Sequence, residues 1–253
     1  MEYSPIKRLD DTGLVRTLCT AVGHGIWFSN CEEGAENYRE IGAQLGITPH
    51  EMVGTFQRHT SNVEAVTKAQ GGEYVIYRSD PIVPRDGIVT NERGLLLTSI
   101  ESDCTPLFIL DPVKGAIGMV HSGWKGTAAL IGVRAIQLMQ EKYGTDPEDV
   151  LVAFGPHICA DCYEVGDDLI PPFRENFSER EIESFFRPKT NGKYTLNLSA
   201  AISISLLRAG LREENIFPTK DCTFHGGRYY SHRVQVRDNL NLQDNMLTGI
   251  MLV

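Results

Sequence analysis

The chain contains no run of eighteen or more apolar residues, so no segment reads as a membrane-spanning helix. Its opening, "MEYSPIKRLDDTGLV", lacks the apolar core that a secretory signal needs. Basic residues are in deficit: Lys and Arg total 24 against 33 Asp and Glu, a formal net charge of -9. General binding to a nucleic-acid backbone needs the opposite balance, which excludes that class but leaves room for a local basic pocket holding one phosphate. Internal repeats and low-complexity tracts are missing. No Walker A loop and no G-x-G-x-x-G occur, so nucleoside-triphosphate and Rossmann readings lack support. No His-x-Glu occurs and Pro156 is not adjacent to Cys159, so the zinc-deaminase signature is absent. The lack of any His-x-His pair argues against a blue-copper oxidase on a cupredoxin scaffold. Cysteine is present but sparse. Its six positions, Cys19, Cys31, Cys104, Cys159, Cys162 and Cys222, are irregularly spaced. With no export signal, they read as reduced thiols in a cytoplasmic protein.

What is present suits a folded enzyme-sized unit. A chain of 253 residues is long enough to bury a core without disulfide staples. Short apolar runs recur in "EYVIYR", "GLLLTSI", "PLFILD", "AIGMVHS" and "VLVAFGP", and these predict strands, several buried on both faces. Over 126–143 the period changes. Ala128, Ile131, Ala135, Leu138 and Met139 recur at helical spacing, with Gly144 as the stop. Helices are also expected over 34–45, stopped by Gly46, and over 199–209, stopped by Gly210. The polar, aromatic-rich stretch 167–193 reads as a helix-containing excursion or a mobile surface segment. Strands and helices alternate irregularly and no linker intervenes. The expectation is therefore a single α/β domain, 1–253, with mixed β-sheets flanked by helices.

Three residues with metal-binding chemistry sit where apolar runs meet turns: His59 in "FQRHTSNV", Cys104 in "SDCTPLFIL" and His121 in "MVHSGWKG". Imidazole and thiolate suit a borderline-soft ion such as zinc, and three protein ligands with an open fourth position is the catalytic pattern. Without metal, Cys104 and His121 would suit the nucleophile and base of a hydrolase. A binding module with purely structural ligands is a third reading, and a buried packing role fits each residue taken singly. The CxxC of Cys159 and Cys162 has no second CxxC or paired histidines, so a zinc knuckle is weakly supported. The irregular turn around Pro156 and His157 makes it read as a loop near a site rather than a redox centre. The C-terminal "DCTFHGGRYYSHRVQ" offers His225, Arg228, Tyr229, Tyr230, His232 and Arg233. It reads equally as a pocket wall with a guanidinium for an anion or as an edge strand with a polar face.

Five segments, in order along the chain, resemble the YfiH-like family, long labelled polyphenol oxidase or laccase-domain proteins and now regarded as purine nucleoside phosphorylases. They are "FQRHTSNV", "SDCTPLFILD", "HSGWKGT", "GPHICADCYEVG" and "YYSHR". The resemblance implies a zinc site at His59, Cys104 and His121, the same residues serving catalysis. It implies phosphorolysis of adenosine, inosine and methylthioadenosine, with purine nucleoside and phosphate as partners and some adenosine deamination. Copper-dependent phenol oxidation is reported for some members, so copper is the alternative metal. Lys125 and Arg233 are the implied anion contacts. Asp103 is expected to orient a ligand, act as acid-base group or serve as a buried structural carboxylate, and Cys162 and Tyr163 to line the pocket or pack. The chain departs from the family at Lys125, His232 and Val234, and its N-terminal loop is shorter and lacks the family's arginine.

Overall fold

The computed structural model describes residues 1–24, 35–240 and 244–253. In chain order the strands are β1 (Tyr3–Ser4), β2 (Val15–Thr20), β3 (Met52–Gly54), β4 (Val63–Ala65), β5 (Gly87–Thr90), β6 (Leu96–Glu101), β7 (Thr105–Asp111), β8 (Ala116–Ser122), β9 (Leu151–Phe154), β10 (Glu164–Val165), β11 (Phe186–Pro188), β12 (Tyr194–Leu196), β13 (Ile216–Phe217) and β14 (Met246–Leu252). The helices are α1 (Lys7–Asp10), α2 (Glu36–Leu45), α3 (Trp124–Ala128), α4 (Ile131–Tyr143), α5 (Ile170–Arg174), α6 (Glu179–Phe185), α7 (Leu198–Arg208) and α8 (His232–Arg237).

Strand alternation explains the layers. In β7, Leu107 and Ile109 pack toward α4 and α7, while Phe108 and Leu110 pack toward a second sheet. In β8, Val120 faces the helices, and Ile117 and Met119 face that sheet. Burial on both sides is why these runs read as continuous apolar stretches instead of alternating ones. The resulting six-stranded sheet has the order β13-β9-β7-β8-β5-β4, and the second, five-stranded sheet the order β1-β2-β14-β6-β3. Both are mixed: β13–β9, β4–β5 and β3–β6 are parallel, and the other pairs are antiparallel. The outer face of the five-stranded sheet buries Leu18, Leu96 and Leu247 against Tyr38 and Ile41 of α2. A small antiparallel sheet, β10-β12-β11, completes the set. The mixed α/β architecture expected from the sequence is the one found. No helix among the described residues is long and apolar enough to cross a membrane.

Three expectations need correction or sharpening. "EYVIYR" is not a strand. The N–H groups of Val75 and Ile76 both donate to the Gly72 carbonyl, and Tyr74 takes φ 54, so the run folds into a turn. Its apolar residues Val75 and Ile76 plug the outer core instead of joining a ladder. The helix over 126–143 is two helices. Leu130 takes a left-handed φ of 60 and breaks the run between α3 and α4, and Asn176 Nδ2 donates to the Ala128 carbonyl at 2.9 Å. Its predicted stop stands: Gly144 has φ 69, a conformation open to glycine at little cost. The stretch 167–193 contains α5 and α6, as the helix-containing reading had it. The start of the 34–45 helix, Cys31 and most of the shortened N-terminal loop lie outside the described residues; within them α2 ends at Gly46 as expected.

Candidate metal centre and cavity

The centre is organised by a residue the sequence did not single out. Asp86 stands just before β5 and is fully buried. Its carboxylate accepts from the backbone N–H groups of Arg58, His59 and Thr60 at 3.2, 2.9 and 2.8 Å, and from Thr60 Oγ1 at 2.7 Å. Three successive N–H groups converge on one anion only if the backbone curls tightly, and His59 takes a left-handed φ of 57. That conformation costs a non-glycine residue roughly 1 kcal/mol, which the bonds to Asp86 offset. The fifth partner is His121 Nδ1, at 2.9 Å. Burial opposes the charge on Asp86, but the bonds from His121 and Thr60 outweigh it and hold the carboxyl down at about 2. An ionised carboxylate only accepts, so His121 donates from Nδ1, and Nε2 is the nitrogen left to meet an incoming group. Burial opposes charge on this imidazole, but Glu101, Cys104 and the bond to Asp86 raise it well above its ordinary value, so an ion binding at Nε2 displaces a proton.

Strand pairing brings the other donors to the same place. His121 lies near the end of β8, opposite Pro106 of β7, and Cys104 directly precedes β7. Cys104 Sγ is 3.9 Å from His59 Nε2, and the two imidazole rings meet edge-on with centroids 4.9 Å apart. One donor atom from each of His59, Cys104 and His121 lies within 4.8 Å of the others. Small side-chain rotations bring that spacing to the roughly 3.5 Å of a tetrahedral zinc site, and a nitrogen-nitrogen-sulfur set suits zinc or copper. Burial lowers the His59 imidazole, with help from His121 and Lys125. Burial also raises Glu101, to about 7. Glu101 Oε1 accepts from Ser99 at 2.7 Å, whereas buried Oε2 has no hydrogen-bond partner and stands 3.9 Å from His121 Nε2. An oxygen left like this beside His121 Nε2 fits a site that receives a further group.

The turn after His121 is shaped for the same purpose. Gly123 caps α3, and a Cβ there would stand 2.8 Å from Cys104 Sγ and 3.1 Å from His59 Cδ2. Gly123→Ala is expected to weaken metal binding by about 1–3 kcal/mol, roughly 5- to 150-fold, because the donors must move apart. Chelator competition measures this, and equal affinities in the two proteins would remove Gly123 from the shaping of the site.

A cavity of about 520 Å³ opens over the three donors. Trp124, Tyr163, Arg233 and His232 form its walls, with Gln57 and Asn245. Arg233 lies 5.4 Å from the centre of the Tyr163 ring and donates from Nη1 to the Glu164 carbonyl at 2.9 Å. Lys125 is exposed on α3, with Nζ 5.5 Å from the Trp124 ring centre, and is not among the lining residues. Asp103 is half-buried and lines the cavity. Its carboxylate accepts from Thr223 Oγ1, Ser231 Oγ and the Arg233 N–H at 2.6, 2.7 and 2.7 Å, tying the C-terminal segment to the wall. That segment is no edge strand: α8 starts at His232, Tyr229 joins the core, and Arg228 donates to Ser4. Only His232 and Arg233 of its candidates line the cavity.

The family described as multi-copper polyphenol oxidoreductase laccase matches residues 27–252. The chain belongs to this family. Among relatives in and around it, a Geobacillus stearothermophilus protein named purine nucleoside phosphorylase YlmD is 31% identical over 217 residues, covering 85% of this chain and 76% of that one. A prokaryotic protein named adenosine deaminase RL5 is 27% identical over 184 residues, covering 72% and 69%. The solved structure of Bacillus licheniformis hypothetical protein YfiH superposes with a TM-score of 0.86 at 25% identity, over 99% of this chain and 96% of that one. The laccase-family fold is therefore shared over nearly the whole chain.

Proposed function

We propose that residues 1–253 form one catalytic domain of a zinc-dependent purine nucleoside phosphorylase, acting on adenosine, inosine and methylthioadenosine. The observation that carries this reading is the conjunction of a three-donor metal centre with an aromatic, guanidinium-bearing cavity in a chain similar to a named purine nucleoside phosphorylase. In the reaction the glycosidic C–N bond breaks, a phosphate oxygen bonds to the anomeric carbon, and the purine leaves with the electron pair and gains a proton. A zinc ion held by His59, Cys104 and His121 would, when bound, supply a Lewis acid with an open position. Trp124 and Tyr163 offer faces for a purine. Arg233 offers a planar fork for phosphate. Its contact to the Glu164 carbonyl uses one nitrogen and fixes its direction. Lys125, at the rim, adds a mobile positive charge that draws the anion in. The free thiols Cys19, Cys104, Cys159, Cys162 and Cys222 fit a reducing cytoplasm.

The test is product analysis. Adenosine or inosine is incubated with the protein, with and without phosphate. Phosphate-dependent release of free base, lost in Cys104→Ala, is the expected result. Base release that ignores phosphate, or full activity in Cys104→Ala, would sink the proposal. Inosine formed from adenosine would add the deamination implied by the relative of that name. Activity in rigorously metal-free protein would favour the Cys104–His121 hydrolase instead.

A further inference from the structure

Cys159 and Cys162 close a 3₁₀ turn over 160–162, and the chain from 222 to 225 lies against them. The approach is built by backbone. His157 N donates to the Asp221 carbonyl at 3.2 Å and Thr223 N donates to the His157 carbonyl at 3.1 Å, a parallel bridge of His157 with Cys222. This pairing places a Cys-x-x-Cys beside a Cys-x-x-His, with 59 residues intervening between Cys162 and Cys222.

One donor atom from each of Cys159, Cys162, Cys222 and His225 lies within 4.8 Å of all the others. All three sulfurs are free thiols. Cys162 Sγ is 3.3 Å from His225 Nδ1. In a tetrahedral zinc site the ligand spacing is about 3.8 Å for two sulfurs and about 3.5 Å for sulfur and nitrogen, so the four donors are already near their bound positions. The Cys159 N–H donates to Cys222 Sγ at 3.3 Å, and the Phe224 and His225 N–H groups are aimed at the same sulfur. Backbone N–H groups directed at a sulfur stabilise it as a thiolate ligand.

We propose that Cys159, Cys162, Cys222 and His225 bind a second, structural zinc ion, separate from the centre at His59, Cys104 and His121. Four protein ligands leave no open position, so the ion is not a site of reaction. Three thiolates and an imidazole in tetrahedral array select zinc over oxygen-seeking cations. Its place in the fold gives it a purpose. It joins the segment that carries Tyr163 to the segment that continues into Arg233, two neighbouring parts of the cavity wall. With the ion bound, both parts of that wall are fixed by one cross-link. Thiol protons are released to solvent as it binds, so no oxidant is needed.

Metal analysis of the whole protein, purified without chelator, tests this independently of any activity. Wild type is expected to hold two zinc ions per chain, Cys104→Ala one, and Cys159→Ser with Cys162→Ser one. Loading Cys104→Ala with cobalt(II) should give the intense thiolate charge-transfer absorption of a sulfur-rich tetrahedral site, lost on adding Cys222→Ser. A chelator should lower the melting temperature of Cys104→Ala. One zinc in wild type with none in Cys104→Ala would overturn the proposal, as would a Cys159–Cys162 disulfide in the freshly purified, unreduced protein. Should the double serine variant fail to fold, the cobalt spectrum of Cys104→Ala still decides, since its absence alone overturns the site.

Discussion

Asp86→Asn should lower metal affinity at the His59–Cys104–His121 centre by about 10- to 100-fold, and phosphorolytic activity with it. The substitution barely changes shape, so the effect isolates charge and hydrogen bonding. Five donors converge on the carboxylate, from Arg58, His59, Thr60 twice, and His121. An amide presents an NH₂ to at least one of them. If it faces His121, the imidazole tautomer reverses and Nε2 becomes the protonated, non-coordinating nitrogen. If it faces the backbone, the curl that holds His59 at φ 57 loses its anion. Either way a buried donor is stranded, which should cost the metal-free fold about 1–3 kcal/mol. Chelator competition and urea unfolding in excess chelator measure the two effects. Wild-type affinity and stability in Asp86→Asn would show that Asp86 does not organise the centre. A pH signature accompanies this. The carboxyl is depressed to about 2 in the fold, so its stabilisation is fully present above the unfolded value of about 4 and is lost as pH falls through about 2. Asp86→Asn should lack that acid-side decline.

Arg85→Met should destabilise the fold by about 3–5 kcal/mol, because it strips a buried carboxylate of its cation. Arg85 is only 2% exposed. Nη1 donates to Glu64 at 2.8 Å, Nη2 to Glu73 at 3.1 Å, and Nε and Nη2 to the Gly54 carbonyl at 3.3 and 3.1 Å. Its guanidinium also lies 4.8 Å from the Tyr74 ring centre. Methionine fills the volume but leaves Glu73 buried without its cation. Glu73→Gln in the Arg85→Met background should therefore recover part of the loss, because the uncompensated charge is gone. Arg85→Lys should be intermediate, since a single ammonium cannot meet two carboxylates and a carbonyl at once. Urea unfolding of the three variants gives the comparison. A loss under 1 kcal/mol in Arg85→Met would mean the network is not a support. Its position makes the support relevant to function: Arg85 adjoins Asp86 and holds the start and end of the segment that carries His59.

The fold was legible where physics is local. "AIGMVHS" became β8 residue for residue, and Gly144 and Gly46 stop helices as read. Misreadings arose where distant groups decided. "EYVIYR" has strand composition, yet its backbone N–H groups bond within a turn. The 126–143 periodicity is real on both sides of Leu130, but periodicity does not register a single left-handed residue. For the site, residue chemistry and the family resemblance together picked out His59, Cys104 and His121, and the structure brings all three together. Lys125, expected as an anion contact or a solvated surface charge, is exposed beside the cavity and is not among its lining residues.

By itself the sequence determined the layered mixed α/β architecture, because runs buried on both faces and one-faced helices follow from side-chain polarity along a few residues. It also determined which residues could hold a metal, since donor chemistry is a property of residue type. Only the tertiary structure decided which of them meet. Asp86 and Glu101 gave no signal, because their importance lies in burial beside His121 and burial is not written in spacing. The pair Cys159 and Cys162 lacked partners on the page because Cys222 and His225 are supplied across a backbone bridge from far along the chain. Proximity of that kind comes from strand pairing and packing, which bring distant residues within bonding range whatever their separation in sequence.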